Sequence, residues 1–524
     1  MSRPLIYMPS ESRHLPPGRG LRTGLLFTSV IAAVPFLIFL EAARGGTGAP
    51  SSRPNILLVL CDDLGYGDLA CYGHPTIRSP NVDRLAAQGM RLTACYSSAP
   101  VCSPSRAGLM TGRTPHRLGI YNWIPFESPM HLKRSEITIA NLLKSAGYST
   151  CHVGKWHLNG SLTDTTQPQP SDHGFEYWFS TQNNAIPSHR NPISFVRNGK
   201  PLGKLQGYAS ELVTDEAIRW LREIRAKDRP FFMFVCYHEP HEPIETDKRF
   251  SRLYPDTGKR SPYDPSTSSL AAHHGNITQM DYHFGRLLKT LDEDGLSDNT
   301  LVIFTSDNGP AITPMHPHGS AGPLRAKKLS LYEGGIRVPG IVRWPGRIQP
   351  GSESDVAVSG VDWLPTICSI AGVAPPADRA LDGTDVSALF AGQEIVRRQP
   401  LYWHLNYASS QPKVVLRDGK WKLMATLTGP NLKINANIST SDQQAFRQAE
   451  LDRFELYDLK ADIGETTDRW STDRGRVRSL QQRLAQLYLQ VRDAAPTWPE
   501  WTWPKKEGRV MREYVKRRRR EAAR

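Results

Sequence analysis

Cys102-Ser103-Pro104-Ser105-Arg106-Ala107-Gly108-Leu109-Met110-Thr111-Gly112-Arg113 is the stretch on which the reading of this chain turns. Residues 91–98, rich in β formers, lead into it, and Ala99-Pro100 break that run. Ser103 suits a helix N-cap, Pro104 the first helical position and Gly112 the stop. Cys102 is therefore expected where a strand ends and a helix begins. Unpaired N–H groups and the positive end of the helix dipole favour an anion at such a point.

Working outward, Asn55-Ile56-Leu57-Leu58-Val59-Leu60 is a nearly continuous apolar run, as in a strand buried on both faces. It ends in Cys61-Asp62-Asp63-Leu64-Gly65. Leu301-Val302-Ile303-Phe304-Thr305 has the same texture and ends in Ser306-Asp307-Asn308-Gly309. Adjacent carboxylates at strand ends repel unless a cation lies between them. Asp62, Asp63, Asp307 and the Asn308 amide oxygen are hard donors, suited to Ca2+ or Mg2+ rather than zinc. A solvated turn with an Asx cap is the alternative for either segment alone.

A short strand, 148–153, leads into Gly154-Lys155-Trp156-His157-Leu158, where Lys155 and His157 share a face if the backbone stays extended. Phe231 to Tyr237 is another buried strand, ending in His238-Glu239-Pro240-His241-Glu242-Pro243. A loop rich in Pro, Gly and His, residues 311–323, runs into Leu324-Arg325-Ala326-Lys327-Lys328 and then Tyr332-Glu333-Gly334-Gly335-Ile336-Arg337-Val338-Pro339. Helical periodicity marks residues 81–89, 138–146, 212–226, 270–294 and 476–491. Asp172 to Phe179 is a further aromatic segment.

Alone, Cys102 reads as a small buried apolar side chain. Cys-x-Pro-Ser-Arg followed by Leu-x-Thr-Gly-Arg resembles the signature of the type I sulfatases, in which this cysteine is oxidised to formylglycine. The resemblance runs from about residue 54 to 460, most closely to the arylsulfatase A and N-acetylgalactosamine-6-sulfatase branches. It implies an alkaline-phosphatase-like fold: a mixed, mostly parallel sheet with helices on both faces, and a site at the carboxyl ends of strands. It implies Ca2+, ahead of Mg2+, at Asp62, Asp63, Cys102, Asp307 and Asn308. Lys155 and His157 fall in its Gly-Lys-Trp-His-Leu segment, although the glycine usual after it is Asn159 here. His241 takes its His-x-Pro position, with His238 as competitor. The spacing to Glu333-Gly334-Gly335 selects Lys328 over Lys327.

The implied chemistry is hydrolysis of a sulfate monoester. Cation, Arg106, Lys155 and Lys328 would hold the charge; the hydrate of formylglycine at 102 would attack sulfur. His241 or Lys328 would protonate the leaving oxygen, and His157 would take the proton that releases sulfate. The expected substrate is a sulfated mono- or oligosaccharide or a small aryl sulfate, with His318 and Asn184 proposed at the substrate rim beside Lys155, Lys328 and His241. A formylglycine-generating enzyme is the expected maturation partner. Two readings compete: a phosphodiester or phosphonate ester hydrolase on the same scaffold, and a glycan-binding protein whose Cys102 is never converted.

The net charge of +14 sits mostly at the ends: residues 1–53 carry +4 and residues 505–524 carry +7, leaving the body near neutral. No nucleic-acid partner and no stable membrane partner are expected. Arg13, Arg19 and Arg22 before the apolar run 25–40 read as an export signal, with an uncleaved anchor as the lesser alternative, so the chain is expected in the periplasm or outside the cell. Of seven cysteines, removing Cys102 leaves an even six; Cys61, Cys151 and Cys236 lie in strand-like runs and read as buried thiols. The expected organisation is a signal or anchor and linker (1–50), a catalytic domain (51–397), a small C-terminal α+β domain with an antiparallel sheet (398–497) and a basic tail (498–524). Asp418-Gly419 is a hairpin turn signal within the small domain.

Overall fold

The computed structural model describes residues 53–314, 316–408, 411–430, 432 and 436–523. The segment read as an export signal lies outside these residues. No described helix is long and apolar enough to cross a membrane.

Strand Asn55–Asp62 is the axis of a ten-stranded sheet. Ile56, Leu58 and Leu60 enter the core on one face, and Leu57, Val59 and Cys61 the core on the other. That double burial explains a run with no polar alternation. Thr300–Ser306, Asn55–Asp62, Phe231–Pro240, Ser149–Lys155 and Tyr177–Thr181 lie side by side in that order, all parallel. Gly340–Arg343 runs antiparallel to Thr300–Ser306 and extends one side; short antiparallel strands, Val196–Arg197 and Lys200–Pro201, close the other. The register brings the carboxyl ends together: Cys61 pairs with Ser306, Asp62 with Pro240 and Lys155 with Thr181.

Helix Cys102–Thr111 starts earlier than Ser103 and Pro104 predict, with Val101 in the capping position. The Ser103 hydroxyl instead accepts the Ile124 N–H at 3.0 Å, so it satisfies a buried loop donor rather than its own helix. Gly112, at φ +67°, ends the helix as its left-handed preference dictates. The β-rich lead-in forms two short strands, Met90–Leu92 and Cys95–Tyr96, which join different sheets. The long helix is Ser269–Glu293. None of the seven cysteines is in a disulfide.

Strands Leu401–Leu405, Lys413–Asp418, Trp421–Leu427 and Leu451–Asp458 form a four-stranded antiparallel sheet in sequential order. Asp418 faces Trp421 across the expected hairpin, with Gly419 at φ +56°. Helix Arg474–Ala494 covers one face through Val477, Leu480, Leu484 and Tyr488. The buried Lys422 ammonium lies 2.9 Å from Glu333 and 2.8 Å from Glu465, tying this sheet to the Glu-Gly-Gly segment behind Lys328. The basic stretch at the end forms a helix, Lys506–Ala522.

Candidate active site

All five parallel strands deliver polar groups at their carboxyl ends. Asn55–Asp62 ends in Asp62 and Asp63; Thr300–Ser306 leads into Asp307 and Asn308; Ser149–Lys155 ends in Lys155, with His157 two residues on. Phe231–Pro240 leads to His241, and Tyr177–Thr181 to Gln182. Helix Cys102–Thr111 points its first residue at this ring. Cys102 Sγ lies 3.5 Å from Asp62 Oδ1 and 3.5 Å from Lys328 Nζ.

The charges interlock. Lys155 Nζ is 2.6 Å from Asp62 Oδ2, and Lys328 Nζ is 2.6 Å from Asp63 Oδ1. Arg106 donates Nε and Nη2 to Asp307 Oδ2, and Nη1 to the Lys155 carbonyl at 2.7 Å. Asp307 Oδ1 also accepts the Asp63 N–H at 3.2 Å. Burial opposes ionisation of Asp62, yet Lys155, His241, Arg106 and Lys328 hold its carboxyl well below the usual range. Burial and the neighbouring Asp62 push Asp307 up to about 7. Burial pushes the Cys102 thiol up to about 12 despite Lys155 and Lys328, so at neutral pH it is not a thiolate nucleophile.

Strain is concentrated here. Asp63 (φ +65°), His157 (φ +58°), Ala326 (φ +67°) and Leu329 (φ +66°) are non-glycine residues in left-handed conformations. Such conformations cost of order 1 kcal/mol each and persist where surroundings over-determine them. Gly154, at φ +102°, could carry no side chain: a Cβ would lie 1.8 Å from the Cys236 carbonyl oxygen. That close approach sets Lys155 against the neighbouring strand.

The left-handed turn means that strand alternation does not place His157. Its Nε2 lies 3.1 Å from the Ile124 carbonyl, and its Nδ1 is buried without a hydrogen-bond partner. The carbonyl fixes the proton on Nε2 and leaves Nδ1 as the basic nitrogen. Burial, Lys155 and Arg106 keep this imidazole neutral.

The two histidine candidates separate. His241 Nε2 is 3.5 Å from Asp63 Oδ2, whereas His238 Nε2 is 2.7 Å from Thr181 Oγ1 and packs against Phe195. The two lysines separate too: Lys328 joins the carboxylates, and Lys327 donates to the Ile312 carbonyl. Asn184 lines a pocket of about 260 Å³ with Asn183, Gln182 and Glu507. His318 hydrogen-bonds Ser269 at 2.9 Å and packs near His273 and His274; none of its described contacts reaches Cys102 or the carboxylates.

Among the described residues, Asp62, Asp63, Cys102 and His241 bring donor atoms within 4.8 Å of one another. Asp63 Oδ2 and Asn308 Oδ1 are buried with no hydrogen-bond partner. Two unsatisfied oxygens beside further carboxylates are what a hard cation would satisfy.

Sequence reasoning missed Glu507. Its carboxylate accepts the Asn183 side-chain N–H at 3.1 Å, in the pocket that Asn184 also lines. A signal was present: Glu507, Val510, Tyr514 and Arg518 recur at helical spacing within the basic stretch.

The Sulfatase family profile matches residues 54–373, and that of N-sulphoglucosamine sulphohydrolase, C-terminal, matches residues 326–432. N-acetylgalactosamine-6-sulfatase of Canis lupus familiaris is 35% identical over 391 residues, covering 70% of this chain and 71% of that protein. Arylsulfatase A of Homo sapiens is 34% identical over 473 residues, covering 84% and 88%. The solved structure of Ps i-CgsB in complex with k-i-k-neocarrahexaose matches with a TM-score of 0.73 at 26% identity, covering 88% of this chain and 98% of that one. The phosphonate monoester hydrolase of Agrobacterium radiobacter shares the fold, with a TM-score of 0.59 at 21% identity, covering 84% and 96%. The fold is alkaline-phosphatase-like, the chain belongs to the sulfatase family, and the protein is a sulfuric ester hydrolase.

Proposed function

We propose that the chain hydrolyses sulfate monoesters of a sulfated carbohydrate, using formylglycine at position 102 and a calcium ion. The observation that carries this reading is the convergence of Cys102, Lys155, Lys328 and His241 on Asp62 and Asp63, beside the buried Asp63 Oδ2 and Asn308 Oδ1, which have no hydrogen-bond partner. Asp62, Asp63, Asp307 and Asn308 would hold calcium. Three carboxylates against Arg106, Lys155 and Lys328 leave the cluster close to neutral; a divalent cation supplies the positive charge that attracts a sulfate monoester.

A formylglycine hydrate at position 102 would supply one nucleophilic hydroxyl and a second hydroxyl able to give up a proton. Lys155 and Lys328, paired with Asp62 and Asp63 beside residue 102, bind the sulfo oxygens. Arg106 is a positioning residue, since its N–H groups face Asp307 and the Lys155 carbonyl. His157 accepts a proton at Nδ1. His241 gives one to the leaving oxygen from Nε2, because its Nδ1 is bound to the Glu242 carbonyl. Burial lowers the His241 pKa, with Asp62 and Asp63 opposing; an arriving sulfate adds negative charge and favours the imidazolium.

The carbohydrate assignment draws on relatives named for N-acetylgalactosamine 6-sulfate and on a structural neighbour holding a neocarrahexaose. Export through the N-terminal segment belongs to the same reading. The test has two parts. Mass analysis of the peptide spanning Cys102 in active protein should show the aldehyde. Turnover of an aryl sulfate should then exceed that of the matching aryl phosphate ester. Unmodified cysteine in fully active enzyme, or preferred cleavage of the phosphate ester, would reject the proposal.

A further inference from the structure

The C-terminal basic stretch takes no part in the sulfate centre, yet it is built onto its rim. Helix Lys506–Ala522 turns one stripe toward the body. Glu507 accepts from Asn183, Tyr514 donates to Glu245 Oε2 at 2.6 Å, and Arg518 reaches the Tyr263 carbonyl and Asp264 Oδ1, both at 3.3 Å. Lys506 adds an ion pair to Glu127 at 2.6 Å. The helix thus bridges loops that follow two of the site's strands.

Between this helix and residues 187–204 lies a cleft of about 870 Å³. Seven Lys and Arg side chains line it against only Glu513 and Glu521; Arg190 and Lys204 stand on one wall, Arg509 and Arg520 on the other. Arg509 and Arg520 form no ion pair within 4.0 Å among the described residues. Ile193 and Val510 belong both to this cleft and to the 260 Å³ pocket lined by Gln182, Asn183, Asn184 and Glu507. The Gln182 carbonyl accepts the His157 N–H at 2.8 Å, so that pocket abuts the sulfate centre. The cationic cleft thus adjoins a pocket in which Gln182, Asn183, Asn184 and Glu507 stand among apolar side chains such as Phe126 and Leu162.

We propose that this cleft is a second anion-binding site, which takes further sulfate or carboxylate groups of the same glycan chain beyond the ester being cleaved. It rests on the carbohydrate sulfatase reading. Excess positive charge matches a polyanion, and in the adjoining pocket the Gln182, Asn183 and Asn184 amides match sugar hydroxyls while Phe126 and Leu162 match the apolar face of a sugar ring. A nucleic acid is disfavoured: the cleft's one aromatic side chain, Tyr514, is fixed by Glu245 and offers no stacking platform. A membrane is disfavoured because, among the described residues, half-exposed Ile193 and Val510 are the only large aliphatic side chains lining the cleft.

The test measures binding and turnover separately on the full chain. With Cys102→Ala blocking conversion, calorimetry follows a chondroitin 6-sulfate hexasaccharide, its desulfated counterpart, single-stranded DNA and phosphatidylserine vesicles. Adding Arg509→Glu and Arg520→Glu should weaken hexasaccharide binding about tenfold, and the paired Gln substitutions about threefold, with the difference shrinking at high salt. In converted enzyme with Cys102 intact, the same substitutions should leave aryl sulfate turnover within about twofold, since that substrate stays clear of the cleft. Equal hexasaccharide affinity with and without the substitutions overturns the cleft, as does tighter binding of DNA or vesicles than of hexasaccharide. If converted enzyme with both arginines intact fails to turn over the aryl sulfate while the binding difference stands, the hydrolase reading falls and the cleft remains.

Discussion

Arg106 places two N–H groups, at 3.0 and 2.7 Å, on a single oxygen of Asp307, and both side chains are buried. The guanidinium fork thereby fixes a carboxylate of the proposed calcium site from the helix that begins at Cys102. A lysine keeps the charge but loses the planar fork and the third bond to the Lys155 carbonyl. Arg106→Lys should give a folded protein whose kcat/KM for aryl sulfate falls by about 100-fold, as a misplacement near 1 Å does. Calcium affinity should fall with it. Unchanged calcium affinity and unchanged kcat/KM would remove Arg106 from its positioning role.

Asp307→Ala tests the metal assignment from the other side. It should leave a folded, calcium-poor protein with little activity, measured by metal analysis and aryl sulfate turnover. Exhaustive chelation of the unaltered enzyme should have the same effect, and added Ca2+ should restore it. Full activity after chelation would mean that Asp62, Asp63, Asp307 and Asn308 serve another purpose.

Much of this centre was legible because its donors terminate apolar runs. Residues 55–60 and 301–305 are short apolar runs containing β-branched residues that suit a parallel strand covered on both faces, and such strands present their carboxyl ends to a site. What was not legible depends on distant partners. Ser103 looks like a cap until Ile124 is seen to need its oxygen. The Lys155-to-His157 alternation fails because His157 adopts a left-handed turn. The terminal helix was hidden because its body-facing stripe mixes Glu507, Tyr514 and Arg518, whose partners Asn183, Glu245 and Asp264 lie far away in sequence.

Lys422 is buried between Glu333 and Glu465, and Glu333 also accepts from Tyr96. Removing the ammonium leaves two carboxylates facing each other in the interior. Lys422→Ala should destabilise the protein by about 3 kcal/mol, read from thermal or urea unfolding. Lys328 follows through the Glu-Gly-Gly segment, so aryl sulfate turnover should fall before global unfolding. A variant as stable as the parent would show that the cluster is held by other contacts.

Asp68 gives a pH signature. It is buried, accepts the N–H groups of Gly65 and Ser320, both at 2.7 Å, and burial pushes it up to about 7. The unfolded chain loses this proton near the ordinary Asp value, so between roughly pH 4 and 7 the folded state binds more protons. The contribution is full below the unfolded pKa and is lost as pH rises through the folded one, at up to about 1.4 kcal/mol per pH unit. Asp68→Asn removes that dependence. Its stability relative to the parent should therefore rise from pH 5 to pH 7 and level off above, whatever its constant offset. A difference independent of pH across that window would rule out the raised carboxyl.

The proton donor is tested by leaving group. His241 binds the Glu242 carbonyl through Nδ1 and turns Nε2 toward the carboxylates, so a proton on Nε2 exists only in the imidazolium. An activated aryl sulfate needs little protonation of its departing oxygen, whereas a sugar alkoxide needs it fully. His241→Ala should cut kcat on a sugar 6-sulfate by about 100-fold or more while changing an activated aryl sulfate only a few-fold. His238 is the control, since its Nε2 meets Thr181 and lies away from the leaving group. His238→Ala should shift both substrates alike. If His241→Ala also lowers both substrates equally, the acid is another residue, and Lys328 becomes the group to examine.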